Sequence, residues 1–142
     1  MWTLTIDCNR PAVLAAFWNE ALGYREAGPP EGFDNWPEWF ERHGVPEDEW
    51  DDGAFIEDPT GTLPRISFLR VPETKVAKNR VHLDVQAGGG RQVAWEVRWP
   101  RVLATVERLT TAGATVLRQV PSNGTPDHMV MADPEGNEFC VV

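Results

Sequence analysis

At 142 residues, with 42% hydrophobic and 25% charged side chains, the chain has the proportions of one globular domain with a core of its own, over residues 1–142. Its net charge of −9 excludes the basic footprint that nucleic-acid binding requires. No run approaches the roughly 18 apolar residues of a membrane helix, and the N-terminus lacks a signal-peptide pattern, so no membrane partner is expected.

Trp2–Cys8 alternates and is β-rich, with Thr3, Thr5 and Asp7 on one face. Asn9 is a candidate cap and Pro11 fits a first turn, so a helix follows. Its apolar stripe is Leu14, Phe17, Trp18 and Ala21, and Gly23 stops it. That stripe reads as core, with Trp18 also able to form a pocket wall. Tyr24–Ala27 begins a second strand. Residues 28–52 then form an irregular, acidic insertion carrying Phe33, Trp36, Trp39, Phe40 and Trp50. Three tryptophans in an acidic loop imply that the loop packs on something. Short helical starts fall at Trp36 and Pro46, and the insertion reads as a lid over a sheet opening or as part of a dimer contact. The first half of the chain is the acidic half: residues 1–71 hold 14 Asp and Glu against 5 Lys and Arg.

Strands are expected at Gly53–Glu57 and Arg65–Val71, joined through Asp58-Pro-Thr-Gly61. Arg80–Val85 alternates and places Arg80, His82 and Asp84 on one face. Gly88–Gly90 lacks the spacing of a phosphate-binding loop and reads as a flexible turn. A second helix, opened by Pro100 and ended by Gly113, carries Val102, Leu103, Val106 and Leu109. Thr115–Val120 is a strand and Pro121–Pro126 a loop. A closing hairpin turns at Asp133-Pro-Glu-Gly136, with Glu138, Cys140 and Val142 on one face of its last strand. One curved sheet would gather His82, Asp84, Glu138 and Cys140 on a single face. Cys8 and Cys140 make no disulfide scaffold and read as reduced thiols of a cytoplasmic protein.

The order strand–helix–strand–strand–strand occurs twice, and the two Asp-Pro-x-Gly turns correspond. The chain therefore divides into module one, about 1–72, and module two, about 79–142. The segments Leu14-Ala-Ala-Phe-Trp18, Phe68–Pro72, Lys78–Asp84, Ala112-Gly-Ala114 and Met131–Cys140 carry a family likeness. On these residues the chain resembles the vicinal-oxygen-chelate superfamily (glyoxalase, bleomycin-resistance and ring-cleaving dioxygenase proteins), in its glyoxalase-like domain branch. The resemblance implies an α+β fold of two βαβββ modules forming a curved mixed sheet around a cup, and a homodimer.

In metal-dependent members each module supplies ligands from its first and last strands. Here His82 matches one such position. Module one offers Thr5 or Thr3 on its first strand and Phe68 or Arg70 on its last. Counting from Asp133-Pro134 puts Cys140 where the carboxylate would stand. With one matching position of four, no metal or other cofactor is expected, and strand neighbours two apart rarely converge on one ion. A softer ion held by His82, Asp84 and Cys140 is the alternative. The expected function is small-molecule binding in the cup. Its candidate pocket residues are His82, Asp84, Cys140, Glu138, Arg80, Thr5, Phe68 and Trp18. A lyase- or isomerase-type or dioxygenase-type enzyme using His82, with a non-standard metal or an acid–base pair, is the competing reading. The acidic, aromatic insertion would suit a cationic ligand.

Overall fold

Each half of the chain builds an open four-stranded sheet and contributes one long helix. The computed structural model describes residues 2–142. These group into two compact units, residues 2–19 with 23–74, and residues 20–22 with 75–142.

In the first unit β1 (Leu4–Cys8), β2 (Arg25–Glu26), β3 (Gly53–Glu57) and β4 (Ile66–Arg70) stand in the order β1-β4-β3-β2. β1 and β4 are parallel and the other neighbours antiparallel. Helix α1 (Pro11–Leu22) buries Leu14, Phe17, Trp18 and Ala21 as the 3.6-residue period requires. The matching sheet positions are Ile56, Ile66 and Phe68. Gly23 ends the helix at φ 69°, a left-handed position that glycine adopts without strain. The residue directly before α1 is Arg10 rather than Asn9. Arg10 occupies that position without a side-chain cap, and Asn9 donates to the Val71 and Glu73 carbonyls at 2.9 and 3.0 Å. Its amide thus satisfies the chain leaving β4, which short-range spacing does not reveal.

The insertion forms helix α2 (Trp36–Arg42) and a 3₁₀ turn, Glu47–Asp52. Asn35 accepts from the Glu38 amide while Glu38 accepts from the Asp34 amide, a reciprocal cap that fixes where α2 starts.

The second unit repeats the plan. β5 (Asp84–Val85), β6 (Thr115–Ser122), β7 (Thr125–Ala132) and β8 (Glu138–Val141) stand in the order β5-β8-β7-β6, with β5 and β8 parallel. Helix α3 (Trp95–Thr111) buries Trp99, Val102, Val106 and Leu109, and Phe139 and Val141 are fully buried in the sheet. The repeat expected from sequence is therefore a repeat of topology, and the fold is the two-module α+β arrangement.

Three local expectations need correction. Pro100 lies inside α3, which begins five residues earlier. Tertiary anchors hold that extra turn: the Trp95 indole donates to the Pro126 carbonyl at 2.7 Å, and Trp95 stacks on Trp99. Residues 121–126 are not a loop, because β6 and β7 run into a two-residue turn at Asn123 (φ 52°) and Gly124 (φ 79°). That turn matches the twist of the strands, and the Asn-Gly pair is its signal. The strand expected from Arg80 is reduced to Asp84–Val85.

Candidate functional site

The shortened strand has a local cause. The Asn79 amide donates to Glu138 Oε2 at 2.8 Å, the Glu138 amide donates to Asn79 Oδ1, and Asn79 Nδ2 donates to the Val81 carbonyl. Side chains thus take backbone groups that a longer ladder would use. Regular pairing resumes where the Cys140 amide donates to the Leu83 carbonyl. His82 is left outside the strand and half-exposed.

In β7 and β8 the residues Asp127, Met129, Met131, Phe139 and Val141 occupy one face, and Arg98 of α3 bonds Asp127 there. The opposite face carries His128, Val130, Ala132, Glu138 and Cys140. The parallel register sets Asp84 beside Cys140. Freed from the strand, His82 turns back so that one donor atom each of His82, Asp84 and Cys140 lies within 4.8 Å of the others. His82 Nε2 stands 3.4 Å from Asp84 Oδ1. Convergence of residues two apart, unexpected for a regular strand, follows from this release.

Electrostatics set the resting state of the group. Burial, and then the charge and hydrogen bond of Asp84, push the Cys140 thiol up, while Arg118 and Lys78 oppose the shift. The thiol proton is therefore held against Asp84, and Cys140 at rest is a poor nucleophile. Glu138 does not join the group. The Asn79 amide first, then Lys75 and Lys78, hold its carboxyl below the usual range, and both lysines lie within 3.8 Å. Arg80 is exposed on the surface.

The remaining candidates belong to the first unit. Thr5 is exposed on the face away from the α1 core. Phe68 is 1% exposed and Trp18 3%, so both are core residues of that unit. The strand register also corrects the module alignment: Asp7 pairs with Leu69 as Asp84 pairs with Cys140. Thr5, Asp7, Ser67 and Leu69 are therefore the counterparts of His82, Asp84, Glu138 and Cys140, rather than Phe68 or Arg70 supplying the last-strand position. Module one keeps only the aspartate.

Sequence reading missed a second polar group. Asp127, 5% exposed, accepts from Arg98 and from Arg91, and its Oδ2 lies 3.0 Å from His128 Nδ1. The His128 hydrogen bond, the Arg98 bond and the two arginine charges hold this carboxyl below its ordinary range, against the effect of burial. The adjacent Asp-His pair is visible in the sequence, but its arginine partners lie about 30 residues upstream.

Could His82, Asp84 and Cys140 hold a metal? A tetrahedral zinc with bonds of about 2.0–2.3 Å separates its donors by roughly 3.3–3.8 Å. The observed spread needs a closure of about 1 Å, within side-chain reach, and loss of the Cys140 proton. A thiolate, an imidazole and a carboxylate suit a borderline-soft ion and suit magnesium or calcium poorly. Three ligands leave a fourth position, on the side where His82 and Asp84 are exposed. The set fits.

Two open sheets of matching order, each with a parallel first–last pair, define the fold class. Residues 3–142 match the family model of the glyoxalase-like domain, and the chain belongs to that family. No curated protein matches it. Among solved structures it is similar to a glyoxalase/bleomycin resistance protein/dioxygenase family enzyme from Burkholderia phytofirmans PsJN, at 16% identity and TM-score 0.59, covering 98% of this chain and 94% of that one. It is similar to the fosfomycin resistance protein FosX from Mesorhizobium loti at 8% identity and TM-score 0.62, covering 99% and 88%. It is also similar to a point mutant of FosX from Listeria monocytogenes, complexed with Mn(II) and 1S,2S-dihydroxypropylphosphonic acid, at 12% identity and TM-score 0.60, covering 99% and 86%. These likenesses bear on the fold. No helix among the described residues is long and apolar enough to cross a membrane.

Proposed function

We propose that this glyoxalase-like protein binds a small, oxygen-rich anion at the His82–Asp84–Cys140 cluster, with one zinc-type cation completing the site. The carrying observation is the convergence of three donors of different hardness within 4.8 Å, with the exposed side open. When bound, the cation supplies Lewis-acid polarisation of a ligand oxygen. Cys140, His82 and Asp84 would hold the cation, and the thiol proton would leave to solvent as the cation binds. Arg118 and Lys78, whose charges already reach Cys140, favour an anionic ligand over a neutral one. The Listeria FosX structure holds a phosphonate together with Mn(II), and that pairing supports the ligand class while Cys140 shifts the metal preference toward zinc. The working unit in this reading is a cytoplasmic homodimer.

A metal-free binding pocket is the second reading. It is favoured by the Cys140–Asp84 hydrogen bond, which satisfies the thiol without any ion. Metal content of untagged protein, purified without chelator, separates the two. The proposal expects near one zinc per chain and a thermal shift of roughly 5–10 °C on adding excess zinc, both lost in His82→Ala and in Cys140→Ala. Protein without metal that does not respond to zinc overturns it and leaves the metal-free pocket.

A further inference from the structure

We propose that the acidic insertion builds a second binding site, for an organic cation with an apolar body, wholly inside the first unit. A cavity of about 320 Å³ lies between the start of α1, the β2–β3 edge and the insertion. Trp36, Phe40, Trp50 and Phe55 line it, and Glu26 and Asp51 are the charged groups on its wall. No lysine, arginine or histidine is among the described residues that line it.

The cavity is built rather than incidental. The Trp36 indole donates to the Ala27 carbonyl at 2.9 Å and the Trp50 indole to the Val45 carbonyl at 3.1 Å. Both polar handles are thereby turned onto backbone, and the rings remain as apolar walls. Phe55, Trp36, Phe40 and Trp50 form a continuous stack with centroids 4.9, 5.7 and 5.6 Å apart. Such a stack loses little conformational freedom when a ligand arrives. All four rings are nonetheless only half-buried, an unusual exposure for so much aromatic surface unless something covers it.

Charge selects the occupant. Glu31–Asp58 contains 11 acids and one base, Arg42, and this local potential repels anions. The exposed carboxylates of Glu26 and Asp51 provide attraction for a cationic head, while the rings accept the body. The fold already seats one cation on this stack, with the Arg65 guanidinium 6.0 Å from the Phe55 centroid. The volume admits a ligand of about ten non-hydrogen atoms, at the small end of ligand pockets.

The test uses the whole chain and two isosteres, benzyltrimethylammonium and neopentylbenzene, followed by tryptophan fluorescence. The cation is expected to bind saturably and about tenfold more tightly than the neutral isostere. The double variant Glu26→Gln, Asp51→Asn changes exposed side chains and leaves the melting temperature in place. It should bring the two probes to within about twofold of one another by weakening the cation alone. Trp50→Ala should weaken both probes about tenfold. His82→Ala should change neither, which keeps this site independent of the cluster on module two. Equal affinity for the two probes in the native chain, or no saturable response to the cation up to about 10 mM, overturns the proposal. So does a double variant that keeps the full preference for the cation.

Discussion

The two modules share one topology and differ in what their sheets present. In module two, Asp84 beside Cys140 gains His82 because Asn79 and Glu138 divert the backbone before β5. In module one the equivalent Asp7 stands beside Leu69, and Thr5 stays locked opposite Ser67 in a regular five-residue strand. Module one instead carries the insertion and its aromatic cavity at the other edge of its sheet. The same fold thus holds a polar cluster in one copy and an apolar pocket in the other. Duplication fixes backbone register, whereas side chains at equivalent positions are free to diverge, and only a few of them decide the chemistry.

The largest effects are expected in the core. Phe68 and Phe139 occupy equivalent positions, at 1% and 0% exposure. Phe68→Ala and Phe139→Ala should each cost about 3–5 kcal/mol by denaturant unfolding. A large cost for one and less than about 1 kcal/mol for the other would show that the modules do not share one packing plan.

Next in size is the buried Asp127–Arg98 pair of module two. Asp127→Asn leaves the Arg98 charge in a site where it is 12% exposed, and should cost about 3 kcal/mol at neutral pH. The sign with pH follows from a folded pKa lower than the unfolded one. The stabilisation is complete above the ordinary carboxylate range and disappears as pH falls through the depressed folded value. The native protein should therefore lose stability more steeply than the variant on acidification, measured as melting temperature between about pH 5 and 2. Parallel acid limbs would remove Asp127 as the cause.

A graft onto module one tests what creates the cluster. Thr5→His with Leu69→Cys gives module one the same three residue types as module two, since Asp7 is already present. If release of the first-strand histidine is what creates the cluster, zinc stoichiometry should stay near its native value. A full additional equivalent bound by the graft would show that side chains suffice without the Asn79–Glu138 arrangement.

The smallest expected effects are at turns and surface pairs. Gly124→Ala, at φ 79°, should cost about 1 kcal/mol in melting experiments. The partly exposed Lys75 and Lys78 contacts to Glu138 should each contribute less than about 1 kcal/mol, and 0.5 M salt should erase most of that.

Much of the fold is legible in the sequence. The stripe of α1, its stop at Gly23, both Asp-Pro-x-Gly turns and the repeat of strand and helix order all depend on neighbours a few residues apart. The structure adds that Asp58 and Asp133 knot those turns in the same way, each accepting from amides two and four residues on. Asp58 is held at about 2 chiefly by the Thr60 hydroxyl and the Leu63 and Thr60 amides. The Asn123-Gly124 turn is an equally local signal, masked by the prolines on either side of it.

By itself the sequence determined the module repeat, the faces of the strands and the residue types available for chemistry, because these follow from periodicity and local backbone preference. Tertiary structure alone decided that Pro100 could sit inside a helix, because Trp95 and Arg98 find partners on β7. It alone decided that Asn9 and Glu138 serve backbone groups about 60 residues away. The meeting of His82 with Asp84 and Cys140, and the closing of an aromatic cavity around Trp36, belong to the same class. Each joins groups that come together only once the sheets have formed, and no local spacing records which of several equally polar partners they will find.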